Sequence, residues 1–171
     1  MAALRLCRLA GALWFAFAGA VIAAPRAGAA DVQPAAKLPR FASLRSDEVN
    51  LRIGPGRNYP IKWVLTRKGM PVEIVARFEH WREVREPLGS EGWVQERMLI
   101  GQRTVMITGK IRDLRRGPSG ASAMTARVEP GVVASLLECR GGWCRITAGH
   151  MTGWVRREGI FGVLPDETVI R

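Results

Sequence analysis

The sequence predicts an all-β protein: two small β-barrels in tandem, behind an N-terminal signal peptide and a short linker. Three observations predict it. A set of landmark residues occurs twice in the same order, short β-rich segments alternate with Gly and Pro turns, and no segment sustains a helical apolar period over ten or more residues.

Residues 1–30 read as an export signal. Arg5 and Arg8 charge a short leading segment, residues 9–24 (LAGALWFAFAGAVIAA) supply an apolar core, and Ala27-Gly28-Ala29 before Ala30-Asp31 places small residues at the cleavage positions. The apolar run is shorter than the roughly 20 residues that span a bilayer, so a cleaved signal is expected, with no stable membrane span afterwards. Gly11, Gly19 and Pro25 argue against a buried core helix. A lipid anchor would need a cysteine at the junction, whereas Cys7 precedes the apolar run. Cleavage after Ala30 removes Arg5, Arg8 and Arg26, so 26 basic residues become 23 against 15 acidic and the net charge falls from +11 to +8. It also leaves two cysteines, Cys139 and Cys144, and an even number in an exported chain suits a disulfide. Residues 31–42, DVQPAAKLPRFA, are rich in Ala and Pro without apolar periodicity and read as a linker.

The repeat begins after that linker. Asn50-Leu51-Arg52-Ile53-Gly54-Pro55-Gly56 is echoed by Asp113-Leu114-Arg115-Arg116-Gly117-Pro118-Ser119 at an offset of 63. Gly69 matches Gly131 and Trp81 matches Trp143, both at 62, and Gly92-Trp93-Val94 matches Gly153-Trp154-Val155 at 61. Four landmarks in fixed order define two units, assigned to residues 43–102 and 103–171, each small but within the size of an independently folding domain.

Within the first unit, Val72–Phe78 is β-rich, Glu79-His80 is a turn, Trp81–Arg85 returns, residues 87–92 turn again, and Trp93-Val94 opens another strand. The second unit runs in parallel, with Val132–Cys139, a Gly-Gly turn, Trp143–Ala148, a turn at Gly149-His150, and Gly153-Trp154-Val155. Gln95–Leu99 and Arg156–Gly159 are each long enough for one 3₁₀ turn. The strand-like stretch Ile100–Lys110 is compatible with completing the first barrel or starting the second. Short strands broken by Gly and Pro predict strongly bent barrels.

These ordered motifs, Asn50-Leu51-Arg52-x-Gly54-Pro55-Gly56, a Gly-led strand, a Trp beyond a tight turn and Gly92-Trp93-Val94, resemble the bacterial SH3-like domain, and the second unit resembles it again. The Cys139…Trp143-Cys144-Arg145-Ile146 form is similar to an exported subfamily. The resemblance covers residues 43 to about 164. It implies SH3-like barrels that serve as binding or targeting modules of the cell envelope, with cell-wall peptide or glycan as the common ligand.

Catalytic constellations are poorly represented. His80 and His150 both fall in predicted turns, and Cys139, Cys144 and His150 supply three ligands where a zinc site takes four. No metal and no cofactor is therefore predicted. A Cys144–His150 nucleophilic pair is conceivable by spacing, but Cys139 is the better-placed partner for Cys144. Glu83, Glu86, Glu91 and Asp113 show no forced pairing of the kind glycan hydrolysis needs and read as surface charge. Asn50 and Asp113 are expected to bond their own loop backbone. Gly54-Pro55-Gly56 lacks the Lys-Ser/Thr and helix of a phosphate loop, so it reads as a turn. The chain is accordingly predicted not to be an enzyme.

Trp81, Trp93, Trp143 and Trp154 recur in both units, as a repeated core demands. Tyr59 and Trp63 do not recur, the second unit offering Ala121 or Ser122 and Thr125 instead, so Asn58, Tyr59 and Trp63 with Trp81 are the candidate ligand residues. The +8 charge of the mature chain formally admits nucleic acid, but export argues against it. Anionic wall polymers, acidic stem peptides or phosphate groups fit the compartment better. The expected partner is peptidoglycan or an envelope protein or peptide, in the periplasm or outside the cell. An accessory subunit of an envelope enzyme is the alternative, and a Cys/His hydrolase the remote one. With Gly69 set on Gly131, Cys139 falls on Arg77 and Cys144 on Arg82. A four-residue turn then sets 139 opposite 144 and 137 opposite 146, placing Leu137, Cys139, Cys144 and Ile146 on one face, a geometry that permits a cross-strand disulfide.

Overall fold

The computed structural model describes residues 37–170; the predicted signal peptide and linker residues 31–36 lie outside them. Strands β1 (Arg40–Leu44), β2 (Val49–Arg52), β3 (Ile61–Leu65), β4 (Pro71–Phe78), β5 (Trp81–Arg85), β6 (Glu91–Gln95) and β7 (Leu99–Ile100) form one sheet in the order β3-β2-β6-β5-β4-β1-β7. Strands β8 (Thr104–Ile107), β9 (Arg112–Arg115), β10 (Met124–Val128), β11 (Val133–Arg140), β12 (Trp143–Ala148), β13 (Met151–Arg156) and β14 (Ile160–Phe161) form the second, β10-β9-β13-β12-β11-β8-β14. The two orders are the same permutation, so the sequence repeat is a repeat of topology. The 3₁₀ turns Glu96–Met98 and Arg157–Gly159 occupy matching places before β7 and β14.

Each sheet wraps an aliphatic core. Leu51, Ile74, Val84 and Val94 in the first barrel answer Leu114, Leu136, Ile146 and Val155 in the second, all essentially without solvent contact. Period-two alternation decides which residues enter. On β6, Gly92 and Val94 are buried, which turns Trp93 outward. The recurring tryptophans are therefore less central than their recurrence suggests: only Trp154 is buried, whereas Trp81, Trp93 and Trp143 are half-buried. Glycine at the head of Gly-Trp-Val is required by close approach. A Cβ on Gly92 would lie 2.7 Å from both the Leu51 side chain and the Arg52 carbonyl, and one on Gly153 would lie 2.9 Å from Leu114.

Residues 40–42, placed in the linker by composition, form the start of β1 instead, because Phe41 and Ala42 bury their side chains there. The stretch Ile100–Lys110 divides. Ile100 pairs with Ser43 in the first sheet, and Thr104–Ile107 pairs with β11 and β14 in the second.

The barrels pack directly on one another within one compact unit. Met106 of β8 is buried in the first core and Val133 of β11 packs against it. Phe41 meets Phe161 edge to face at 5.1 Å, with the Arg103 guanidinium 5.9 Å from the Phe41 centroid. The Thr104 hydroxyl donates to the Gly69 carbonyl (2.5 Å), and the Arg67 guanidinium donates to the Gly131 carbonyl.

The Cys139–Cys144 disulfide forms across the β11–β12 hairpin, with the two residues directly opposed and fully buried. One detail of the expected pairing is corrected. A bulge at Leu137 shifts the register, so Ile146 faces Leu136, and Leu136 rather than Leu137 shares the core face with the cysteines. The same bulge occurs at Val75 in the first barrel, where Arg77 faces Arg82 in the place of the disulfide.

The C-terminal segment straps the disulfide from outside. Cys139 N–H donates to the Val169 carbonyl at 2.9 Å, and Arg157 donates to the carbonyls of Leu164, Pro165 and Glu167. Arg103 holds Glu167 through two bonds of 2.5 and 3.0 Å, and that hydrogen-bonded guanidinium keeps the Glu167 carboxyl below the ordinary glutamate range, against the opposing effect of burial.

Candidate ligand-binding site

Trp81 opens β5 immediately after the Glu79-His80 turn, where Glu79 takes a φ of 47°. Its register partner on β6 is Gln95. Around the half-buried indole lie two adjoining clefts of about 530 and 220 Å³ that share Arg57, Trp81, Gln95 and Arg97. His80 and Glu96 complete the larger, and Glu48, Asn50, Arg52 and Met98 the smaller.

The rim is positioned by local bonds. Arg97 Nε donates to Gln95 Oε1 (2.8 Å), and Glu96 is held by Arg82 at 2.6 Å. Arg52 donates to the Tyr59 carbonyl (2.6 Å), which ties the 53–60 loop to β2. Arg57 and Arg97 take part in no ion pair among the described residues.

The four predicted ligand residues do not converge. Trp81 lines the cleft. Asn58 and Tyr59 belong to the loop that carries Arg57, but the Tyr59 ring lies against Gly54 and Gly56, where any Cβ would collide with it or with Asn58. The Gly-Pro-Gly turn is thus a seat for Tyr59. Its counterpart Gly117-Pro118-Ser119 faces the smaller Ser122, a pairing the repeat alone could have revealed. Trp63, 57% exposed on edge strand β3, lines a separate groove of about 240 Å³ with Val64, Leu65, Glu86, Leu88 and Ser90. Its counterpart by register is Ala126 rather than Thr125, since Trp63 faces Leu51 as Ala126 faces Leu114.

Two polar expectations also change. Glu86 is buried rather than surface charge, and its carboxylate accepts from the Leu88 and Ser90 amides at 2.8 Å each, closing the turn. Asp113 pairs with Arg115 (3.2 Å) and Arg127 (3.7 Å) instead of loop backbone, and Asn50 faces the Trp81 cleft.

The most informative residues missed by sequence reasoning are Arg57, Gln95 and Arg97. They are found by comparing the two barrels. In the second, Arg156 stands opposite Trp143 as Gln95 stands opposite Trp81, and its guanidinium covers the indole at 4.6 Å. In the matching groove there, about 410 Å³, an arginine lies over the tryptophan where the first barrel places Gln95 beside Trp81.

Cys139 and Cys144 are joined, so neither offers a thiolate. His80 and His150 are exposed in turns. No group of three or more metal-ligating side chains occurs among the described residues, and no helix among them is long and apolar enough to cross a membrane.

The family described as bacterial SH3 domain matches residues 45–101 and again 109–162, more than half of the chain. A Bacillus subtilis protein named as an N-acetylmuramoyl-L-alanine amidase (YrvJ) is 27% identical over 128 residues, covering 68% of this chain and 24% of the relative. The chain therefore spans about a quarter of that relative's length. Solved structures with similarity include NlpC2 from Trichomonas vaginalis (15% identity, TM-score 0.34, 75% of this chain and 50% of that one). An NlpC/P60 family protein from Bacillus cereus is similar at 15% identity, TM-score 0.33, over 71% of this chain and 55% of that one.

Proposed function

The chain belongs to the bacterial SH3 domain family, and from that premise we propose that it is an exported, non-catalytic module that binds peptidoglycan, through its peptide or glycan, in the cell envelope. The observation that carries the reading is the open Trp81 cleft, an aromatic floor with two unpaired guanidiniums at its rim. An indole face accepts the C–H face of a sugar or the side of a peptide, and Arg57 and Arg97 suit the carboxylates of a stem peptide. The likeness to a protein named as a cell-wall amidase supports the same ligand class, and a disulfide fits an oxidising compartment.

Retention on purified sacculi at low and high salt tests the reading. Salt-resistant retention of the wild type that Trp81→Ala reduces at least about tenfold supports it; a truncated anchor of this kind costs on the order of 1–3 kcal/mol. No retention at either salt contradicts it.

A second reading, an accessory subunit that contacts an envelope protein, is favoured by β3. That edge strand exposes Ile61, Trp63 and Val64, whereas its counterpart β10 presents Met124, Ala126 and Arg127. Loss of partner capture on Trp63→Ala, with sacculus retention absent, identifies that case.

A further inference from the structure

The second barrel's groove differs from the first in charge as well as in the residue that lies on its tryptophan. Around the Trp81 cleft three arginines, Arg52, Arg57 and Arg97, face two acids, Glu48 and Glu96. At the positions corresponding to Glu48, Arg52 and Arg57 the second barrel has Ile111, Arg115 and Gly120, with Lys110 in place of Asp47. It further gains Arg112 in place of Val49, Arg156 in place of Gln95 and Asp113 in place of Asn50, so four bases face one acid.

That acid is already occupied. Asp113 is shared between Arg115 and Arg127, and Arg115 also donates to the carbonyls of Gly120 (2.9 Å) and Ser122 (2.7 Å), which commits it to holding the loop. Lys110, Arg112 and Arg156 have no acidic partner among the described residues. Three unneutralised cations around one groove repel one another, and an incoming anion relieves that repulsion.

The position of Arg112 is built into the fold. Its guanidinium stem crosses Gly159, where a Cβ would come within 2.5 Å of Nε, and that Nε is buried with no partner. In the first barrel the same two positions are Val49 and Met98, which need no such passage. The arginine and the glycine that admits it have changed together.

We infer that this groove is an anion site that takes a phosphate group. Lys110 precedes β9, Arg112 opens it and Arg156, lying on the Trp143 face, ends β13, and all three line the groove. A tetrahedral oxyanion with several acceptors suits guanidiniums arriving from different strands better than a single carboxylate does. This site is independent of the Trp81 cleft: its ligand is recognised by charge, and Arg156 shields the indole on which a sugar or peptide would lie.

The test is a titration of the ¹⁵N-labelled mature protein with inorganic pyrophosphate, followed through the Trp143 indole N–H and the backbone amides of Lys110–Asp113 and Arg156. Saturable shifts confined to this groove, weakening as salt rises, are expected. Arg112→Gln and Arg156→Gln are each expected to weaken binding about tenfold, and Trp81→Ala to leave it unchanged, with a charge-assisted bond accounting for the loss. Arg156 is exposed, so its variant retains the fold. Shifts scattered over the whole surface, or equal affinity in Arg156→Gln, overturn the inference. Sedimentation with phosphatidylcholine vesicles containing phosphatidylglycerol identifies the source. Binding that pyrophosphate displaces assigns the phosphate to lipid headgroups, and pyrophosphate binding without sedimentation assigns it to a soluble or polymeric phosphate.

Discussion

Replacing Thr104 with valine isolates one of the hydrogen bonds that tie the first barrel to the second. Thr104 is 7% exposed, so the substitution keeps its shape and opens no cavity. Its hydroxyl lies 2.5 Å from the Gly69 carbonyl and 2.7 Å from the Ser43 hydroxyl, which in turn lies 2.6 Å from the Gln102 carbonyl. Two hydroxyl protons serve these three contacts, and they satisfy both carbonyls when Thr104 donates to Gly69 and Ser43 to Gln102. Valine strips Gly69 of its donor while Ser43 keeps Gln102. A buried acceptor left without a partner costs about 1–3 kcal/mol, and this part-buried one is expected within the lower two-thirds of that range. At 2 kcal/mol the thermal midpoint of a domain pair of this size falls by about 5–10 °C. Urea unfolding followed by tryptophan fluorescence, with the exposed Thr152→Val as control, measures the difference. A loss below about 0.5 kcal/mol, or one equal to that of the control, refutes the claim that this contact holds the barrels together.

Further outcomes follow from the second barrel. Cys139→Ala with Cys144→Ala is expected to lower stability by about 2 kcal/mol from loop closure alone, read as a shift in urea midpoint against wild type under non-reducing conditions. Thiol titration of the wild type should find no free group on this pair, and two would contradict the staple. Glu167 has its folded pKa depressed, so its contribution is fully present above the unfolded value and is lost as pH falls through the folded one. Unfolding measured from pH 7 to pH 2 should therefore show destabilisation setting in below about pH 4, and Glu167→Gln should be less stable at neutral pH and lack that part of the acid transition.

Most of the fold was legible because the signals are local. The turn at Glu79-His80, strand Trp81–Arg85 and the two 3₁₀ turns each follow from a few neighbouring residues, and the internal repeat fixed their order. What was not legible depends on register. A bulge at Leu137 exchanged its place with Leu136, and the counterpart of Trp63 moved by one residue because the bulges of β3 and β10 match and the second unit loses its residue only afterwards, in the loop before Gly131. No composition argument places such bulges. The candidate site was half legible. Trp81 stood out as a repeated aromatic, but Arg57, Gln95 and Arg97 are ordinary polar residues whose convergence comes only from β2, β5 and β6 meeting. Tyr59 shows what composition leaves out: its ring, although 40% exposed, is seated on Gly54 and Gly56, a contact that one copy of the aromatic does not announce.

The central claim is that the Trp81 cleft is open and takes a wall-derived ligand. Calorimetric titration of soluble muropeptides into wild type and Gln95→Arg tests it most directly, since arginine at 95 would cover Trp81 as Arg156 covers Trp143. The account predicts saturable binding to the wild type that Gln95→Arg weakens at least about tenfold, equivalent to roughly 1.4 kcal/mol. Equal affinity in the two proteins, or no heat with either, contradicts it.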